Sequence, residues 1–151
     1  LVRCFLEETY DVLCQSDSYF KKTNIHIIQC DEQVQQDRLI TNQEEMEAYM
    51  RDFTIIGQGG TDFRPAFEYV NGLIRQGAFR RLKGLLYFTD GEGIYPVKRP
   101  VYDTAFVFLK DQYTDISVPA WAMKLILEPE QLLENSGGQS SGSKVAKDSP
   151  L

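Results

Sequence analysis

The chain has 151 residues, 42% hydrophobic and 25% charged, the size and balance of one soluble globular domain that needs no disulfide or metal staple. Lys plus Arg number 16 against 22 Asp plus Glu, a net charge of -6, which argues against nucleic-acid binding by phosphate neutralisation and against a polybasic membrane anchor. No apolar run is long enough to span a bilayer, and no export signal opens the chain, so a cytoplasmic setting is expected.

In chain order, Val2, Leu6, Thr9/Tyr10 and Leu13 form the stripe of an amphipathic helix. Asn24 to Cys30 is rich in β-branched residues and predicts a buried strand. Val34 to Ile40 predicts an edge strand, its apolar character diluted by Gln33, Gln35, Gln36, Asp37 and Arg38. Asn42 with Glu45 resembles a capping box, and Met46, Tyr49, Met50 and Phe53 follow at helical spacing. A flexible loop, Gly57 to Asp62, leads into a helix with Phe67, Val70, Leu73 and Ile74 on one face. Gly84 to Thr89 is a continuous apolar strand that stops at Asp90-Gly-Glu-Gly93; Thr104 to Leu109 and Ala122 to Glu128 are two more. Helices alternating with short apolar strands predict an α/β domain with a mostly parallel sheet covered on both faces.

Both ends are unusual. The first helix starts at Leu1 with no capping residue ahead of it, so a fragment cut just upstream of a helix is expected. Residues 135–151 are dominated by Gly and Ser and predict a flexible tail, which leaves 1–134 as the folded domain.

In parallel sheets ligands sit beyond the carboxyl ends of the strands. Thr89-Asp90-Gly91 places a hydroxyl and a carboxylate at such an end, and Gly59-Gly60-Thr61-Asp62 offers a second pair on a loop whose glycines let the backbone approach closely. Taken singly, each motif is better explained by glycines that serve turns and aspartates that cap helix N-termini. Together they suggest a shared site of hard oxygen ligands, the donors Mg²⁺ prefers. Asp31, Asp62 and Asp103 are candidates for orienting metal-bound water, as is the Thr89 hydroxyl.

Gly-Gly-Thr-Asp-Phe-Arg (59–64), Leu-Leu-Tyr-Phe-Thr-Asp-Gly (85–91) and Pro-Ala-Trp-Ala-Met-Lys-Leu-Ile-Leu-Glu (119–128) together resemble a von Willebrand factor A-like (VWA-like) domain, of the type found at the C-terminus of bacterial predicted metallopeptidase-like proteins. His26-Ile-Ile-Gln-Cys-Asp31 and Tyr95-Pro96 fit the same pattern, so the likeness covers nearly all of 1–134. The resemblance implies a Rossmann-like fold with a metal-ion-dependent adhesion site: Asp-x-Ser-x-Ser after the first, central strand, a Thr in a second loop and an Asp in a third. Thr61 matches the Thr and Asp90 the Asp; the Asp-x-Ser-x-Ser segment is absent. It would lie just before the first helix, so the expected domain lacks its central strand, binds Mg²⁺ or Mn²⁺ weakly or not at all, and is either marginally stable or self-associating through exposed sheet edges.

The implied function is a non-enzymatic interaction module, in which a cation binds a carboxylate from a partner protein. An AAA+ ATPase is the partner class the resemblance implies, with any peptidase-like domain lying upstream. The alternatives are a metal-dependent hydrolase built on Asp31, Asp62 and Asp90, and a degenerate scaffold with no metal. Against the hydrolase, the single histidine, His26, falls within a predicted strand and is expected to be a satisfied sheet-face residue. No zinc-protease motif or phosphate loop is present. Cys4, Cys14 and Cys30 are expected to be inert thiols, Trp121 a packing residue, and the charges at Glu44, Glu45, Glu47, Arg80, Arg81 and Lys83 solvated.

Overall fold

The computed structural model describes Arg3, Leu6, Glu7 and Tyr10, then residues 24–57 and 59–128. Those first four are helical, at the spacing of one helix face. Five strands and two further helices follow: β1 (Ile25–Cys30), β2 (Val34–Ile40), α1 (Gln43–Arg51), α2 (Arg64–Arg75), β3 (Gly84–Phe88), β4 (Asp103–Leu109) and β5 (Met123–Leu127). The remainder of the expected first helix, Cys4 and Cys14 within it, and the expected tail at 135–151 lie outside the described residues.

Strand pairing divides between two sheets. β1 and β2 form an antiparallel hairpin, while β3, β4 and β5 form a parallel sheet in that order. The parallel sheet is the one expected of an α/β domain; the edge strand β2 is antiparallel, and the reason is local. Asp31 Oδ1 accepts from Gln33 N at 2.9 Å and Asp31 N donates to Gln33 O at 3.0 Å, which turns the chain within three residues and leaves no room for a crossover. Val34 to Ile40 is the edge strand its diluted pattern predicts, paired to β1 with an irregularity at Gln29/Cys30.

α1 begins as its sequence predicts. Asn42 Oδ1 accepts from Glu45 N at 2.8 Å, and Glu45 returns to the backbone N–H of Thr41, also at 2.8 Å, one residue earlier than in a standard capping box. α2 starts without a side-chain cap; Pro65 stands in its first turn, where the missing N–H costs nothing.

Two hydrophobic clusters lie on opposite faces of β1. Ile25 and Ile27 pack on Ile40, Met46, Tyr49 and Leu6, whereas Ile28 packs on the cluster holding Phe67 and Val70 of α2 and Phe106 and Phe108 of β4. The alternation of a strand produces this division: residues two apart share a face. The larger cluster is aromatic. Phe67 stacks on Tyr87 at 5.8 Å, and Phe63, Tyr95 and Phe106 meet in edge-to-face and tilted pairs. β4 is the central strand of the parallel sheet and its Phe106 and Phe108 are fully buried. Among the described residues β1 and β3 are not paired with each other, and a cavity of about 560 Å³ lies between them. Among the described residues, no helix is long and apolar enough to cross a membrane.

Candidate functional site

Three loops converge at the carboxyl ends of β1 and β3. The first is the hairpin turn at Asp31. The second, the glycine loop, lies against it: a Cβ on Gly60 would come within 2.5 Å of the Asp31 carbonyl carbon and of Glu32 N, so only a glycine backbone fits there. The third, following β3, is tied to the second by Ile94 N donating to Thr61 O at 2.7 Å and Phe63 N donating to Ile94 O at 3.0 Å, a short parallel bridge between Asp62 and Ile94. Gly93 rests on the Phe63 ring, where any Cβ would overlap it.

The strand that ends at Phe88 delivers Thr89 and Asp90 into a compact turn. Thr89 Oγ1 accepts from Gly91 N at 3.1 Å, and Asp90 Oδ1 accepts from Glu92 N at 3.0 Å. Gly91 is buried at φ 88°, in the left-handed region and against the carbonyl oxygen of Thr114. Thr114 N donates to Asp90 O at 2.9 Å, and Tyr95 OH donates to Gly91 O at 3.0 Å. These bonds fix the backbone while the Thr61 and Asp90 side chains remain exposed.

The acidic residues of the cluster are not equivalent. Asp62 accepts from Arg64 Nε at 2.9 Å, from Arg64 Nη2 at 2.8 Å and from Arg64 N at 3.1 Å. The Arg64 guanidinium holds this carboxyl below the usual range, because it favours the charged form. Asp31 is also held low, by the Gln33 backbone N–H and then the Gln35 side chain at 3.0 Å. Asp90 retains one oxygen with no partner among the described residues. Asp103 lies elsewhere: it opens β4 opposite Gly84, the first residue of β3, and faces Arg99 at 4.0 Å. A strand's length, about 16 Å at 3.3 Å per residue, thus separates Asp103 from the Asp90 loop, and it takes no part in the cluster.

The structure sets Gly60 against the Asp31 turn and ties Thr61 and Asp62 to Ile94, on the loop that also carries Thr89, Asp90 and Gly91, and it leaves Asp103 apart. Among the described residues, no group of three or more His, Cys, Asp or Glu side chains is placed to hold a metal ion. The arrangement offers a rigid backbone platform with exposed oxygen donors, of which Thr61 and Asp90 are the least committed to internal bonds.

A polar network absent from the expectations lies on β1 and β2. His26 Nδ1 bonds Asp37 Oδ1 at 2.8 Å, Tyr69 OH donates to Asp37 Oδ2 at 2.6 Å, and the Phe79 ring meets the His26 ring edge-on at 4.9 Å. Asp37 pairs with Ile28 and His26 with Leu39, so His26 and Asp37 are diagonal neighbours on one sheet face. The histidine is thus a satisfied sheet-face residue, as its place in a strand predicts. Its partner is not legible in the sequence, because the register decides which acidic residue reaches it. Trp121 packs edge-on against Phe67 at 6.3 Å.

A family model described as a VWA-like domain (DUF2201) matches residues 5–128. No curated protein and no solved structure matches the chain.

Proposed function

The chain belongs to the VWA-like domain family, and from that premise we propose that it is a protein-interaction module whose contact face is the loop cluster at Asp31, Thr61 and Asp90. The observation that carries this reading is the convergence of three backbone-fixed loops beyond the carboxyl ends of β1 and β3, with exposed oxygen donors at their tips. Catalysis has less support. Asp62 is occupied by Arg64, and His26 is bound to Asp37 on a sheet face, so neither stands ready as a base.

The metal-assisted form of this reading has a partner's carboxylate complete the coordination of Mg²⁺ or Mn²⁺ at Thr61 and Asp90. The described residues do not fit such an ion by themselves: two oxygen donors fall short of the six or more that a hard divalent cation takes, and water would supply most of the rest. The interaction scaffold is therefore the reading assigned to this chain, and cation dependence requires oxygen ligands beyond these two. An AAA+ ATPase is the partner class this proposal puts first.

Two measurements test it. In calorimetric titration with MgCl₂ and MnCl₂, affinity no tighter than millimolar is expected, unchanged in Asp90→Ala. A micromolar site lost in Asp90→Ala would replace the scaffold with a cation-dependent site. For the contact face, a photo-crosslinking residue at Glu92, on the loop cluster, should yield a discrete partner adduct in host-cell lysate. The same residue at Arg75, at the opposite end of α2, should not. Equal adducts at both positions would remove the loop cluster as the contact face.

A further inference from the structure

The amino ends of β3 and β4 carry an uncompensated positive surface. Gly84 opens β3 beside Asp103, which opens β4, so the segments leading into the two strands, 80–83 and 96–102, lie next to each other. They carry Arg80, Arg81, Lys83, Lys98 and Arg99, all exposed, and the acid that accompanies them, Asp103, stands 4.0 Å from Arg99. Among the described residues, Arg80, Arg81, Lys83 and Lys98 have no ion-pair partner, whereas Arg64, Lys110 and Lys124 each meet a carboxylate at 2.8 Å. In a chain of net charge -6, cations gathered at one end without acids to meet them are free to serve an external anion. Arg75 is not one of them: it turns back along α2, with Nη2 3.7 Å from where a Cβ on Gly72 would stand.

The loop between the two strands narrows the occupant. Val97 and Val101 are 96% and 92% exposed, the most exposed large hydrophobic side chains among the described residues. Pro96 and Pro100 precede them with fixed φ, and the buried Tyr95 and Tyr102 anchor the segment on either side. The valines are thus held in water beside the cations, and a partner need not order them first. Both tyrosines are buried, so these segments offer no exposed ring for a nucleobase to stack on and no aromatic anchor for a bilayer interface. Carboxylates interleaved with aliphatic side chains answer both features: the carboxylates meet the cations and the aliphatic groups cover the valines.

We propose that the amino ends of β3 and β4 form a second docking surface, which takes an extended acidic segment of a partner polypeptide with aliphatic residues among its carboxylates. Arg80, Arg81 and Lys83 flank the segment on one side and Lys98 and Arg99 on the other, and Val97 and Val101 pack on it. The surface lies at the opposite end of the sheet from the loop cluster. α2 starts beside Asp62, and its 12 residues, about 18 Å of helix, lead away toward 80–83. A chain that holds one partner at each end of its sheet acts as a bridge between them. No loop-cluster residue enters the test below, so its failure leaves the reading of the loops untouched.

The probe is a fluorescein-labelled peptide, Gly-Glu-Val-Asp-Glu-Leu-Glu-Gly, with one control in which every carboxylate is replaced by its amide and another in which Val and Leu are replaced by Ser. Anisotropy with the full chain in about 0.05 M NaCl should show saturable one-to-one binding that weakens steeply by about 0.3 M. Binding should be at least about tenfold weaker for the amide control and about threefold weaker for the serine control. Lys98→Glu with Arg99→Glu, and separately Arg81→Glu with Lys83→Glu, should each weaken the acidic peptide at least about tenfold, and Val97→Ser with Val101→Ser about threefold. All these positions are exposed, so the far-ultraviolet spectrum should not change. Arg51→Glu, an exposed cation at the end of α1, should bind the peptide as the unmodified chain does. No saturable binding, equal binding of either control, or an equal loss in Arg51→Glu would each overturn the proposal. So would tighter binding of a short oligothymidylate or of phosphatidylserine vesicles, since the cations would then serve a phosphate ligand.

Discussion

At the scale of single residues, the acidic side chains around the loops differ by what each one touches. Asp62 is held in the charged form chiefly by the Arg64 side chain. In Arg64→Ala, its titration midpoint, followed by carboxyl carbon NMR, should rise back toward 3.8. The Asp31 midpoint should not move, because its causes are the Gln33 N–H and the Gln35 amide. Tyr69 behaves in the opposite sense. Its hydrogen bond to Asp37, then burial, pushes the phenol up to about 12, since an ionised phenolate would face a carboxylate. A group raised in the folded state contributes stability that is complete below its unfolded value and lost as pH rises through the folded one. Stability in urea should therefore fall between about pH 10 and 12. The fall should be shallower in Tyr69→Phe, which has no phenol to titrate there.

At the scale of elements, the loops owe their positions to glycines with two different physical demands. Gly77, beyond the end of α2, has φ 76° with open space where a Cβ would stand, whereas Gly91 combines φ 88° with direct contact to the Thr114 carbonyl. Gly77→Ala should cost only left-handed strain, about 1–2 kcal/mol. Gly91→Ala adds a backbone collision and should cost at least about 3 kcal/mol in chemical denaturation, the sum of that strain and an overpacking cost. It should also release the turn that presents Asp90, because Thr114 N, Gly91 O and Tyr95 OH share one bonding arrangement.

At the scale of the whole molecule, the aromatic cluster over β4 joins α2, the loop before it and the loop after β3 into one body. Phe106 contacts Phe63, Phe67, Tyr87 and Tyr95 and is fully buried. Phe106→Ala should therefore destabilise by about 3–5 kcal/mol in urea or guanidinium unfolding. The second cluster, on the other face of β1, depends on helix packing across the hairpin: Tyr10 OH bonds Glu47, and Gln43 Nε2 donates back to Tyr10 OH at 2.9 Å. Among the described residues, β1 contributes side chains to both clusters.

The sequence by itself determined the element types and most of their bounds. The apolar runs at 84–89 and 104–109 mark strands, the Asn42–Glu45 spacing starts a helix, and the loop residues fall after strands because Gly and Asp end them. It also placed Thr61 and Asp90 on neighbouring loops, since both follow from the order of elements in an α/β domain. Tertiary structure alone decided which loop residues meet. Strand direction puts Asp103 at the far end of β4, and Arg64 claims Asp62 although both stand in the same motif. Register alone pairs His26 with Asp37, and the division into two sheets opens the cavity between β1 and β3. The physical reason is the same throughout: local pattern fixes how a segment folds, but the partner of a polar group or a strand edge is set by segments distant in sequence, which only packing brings within reach.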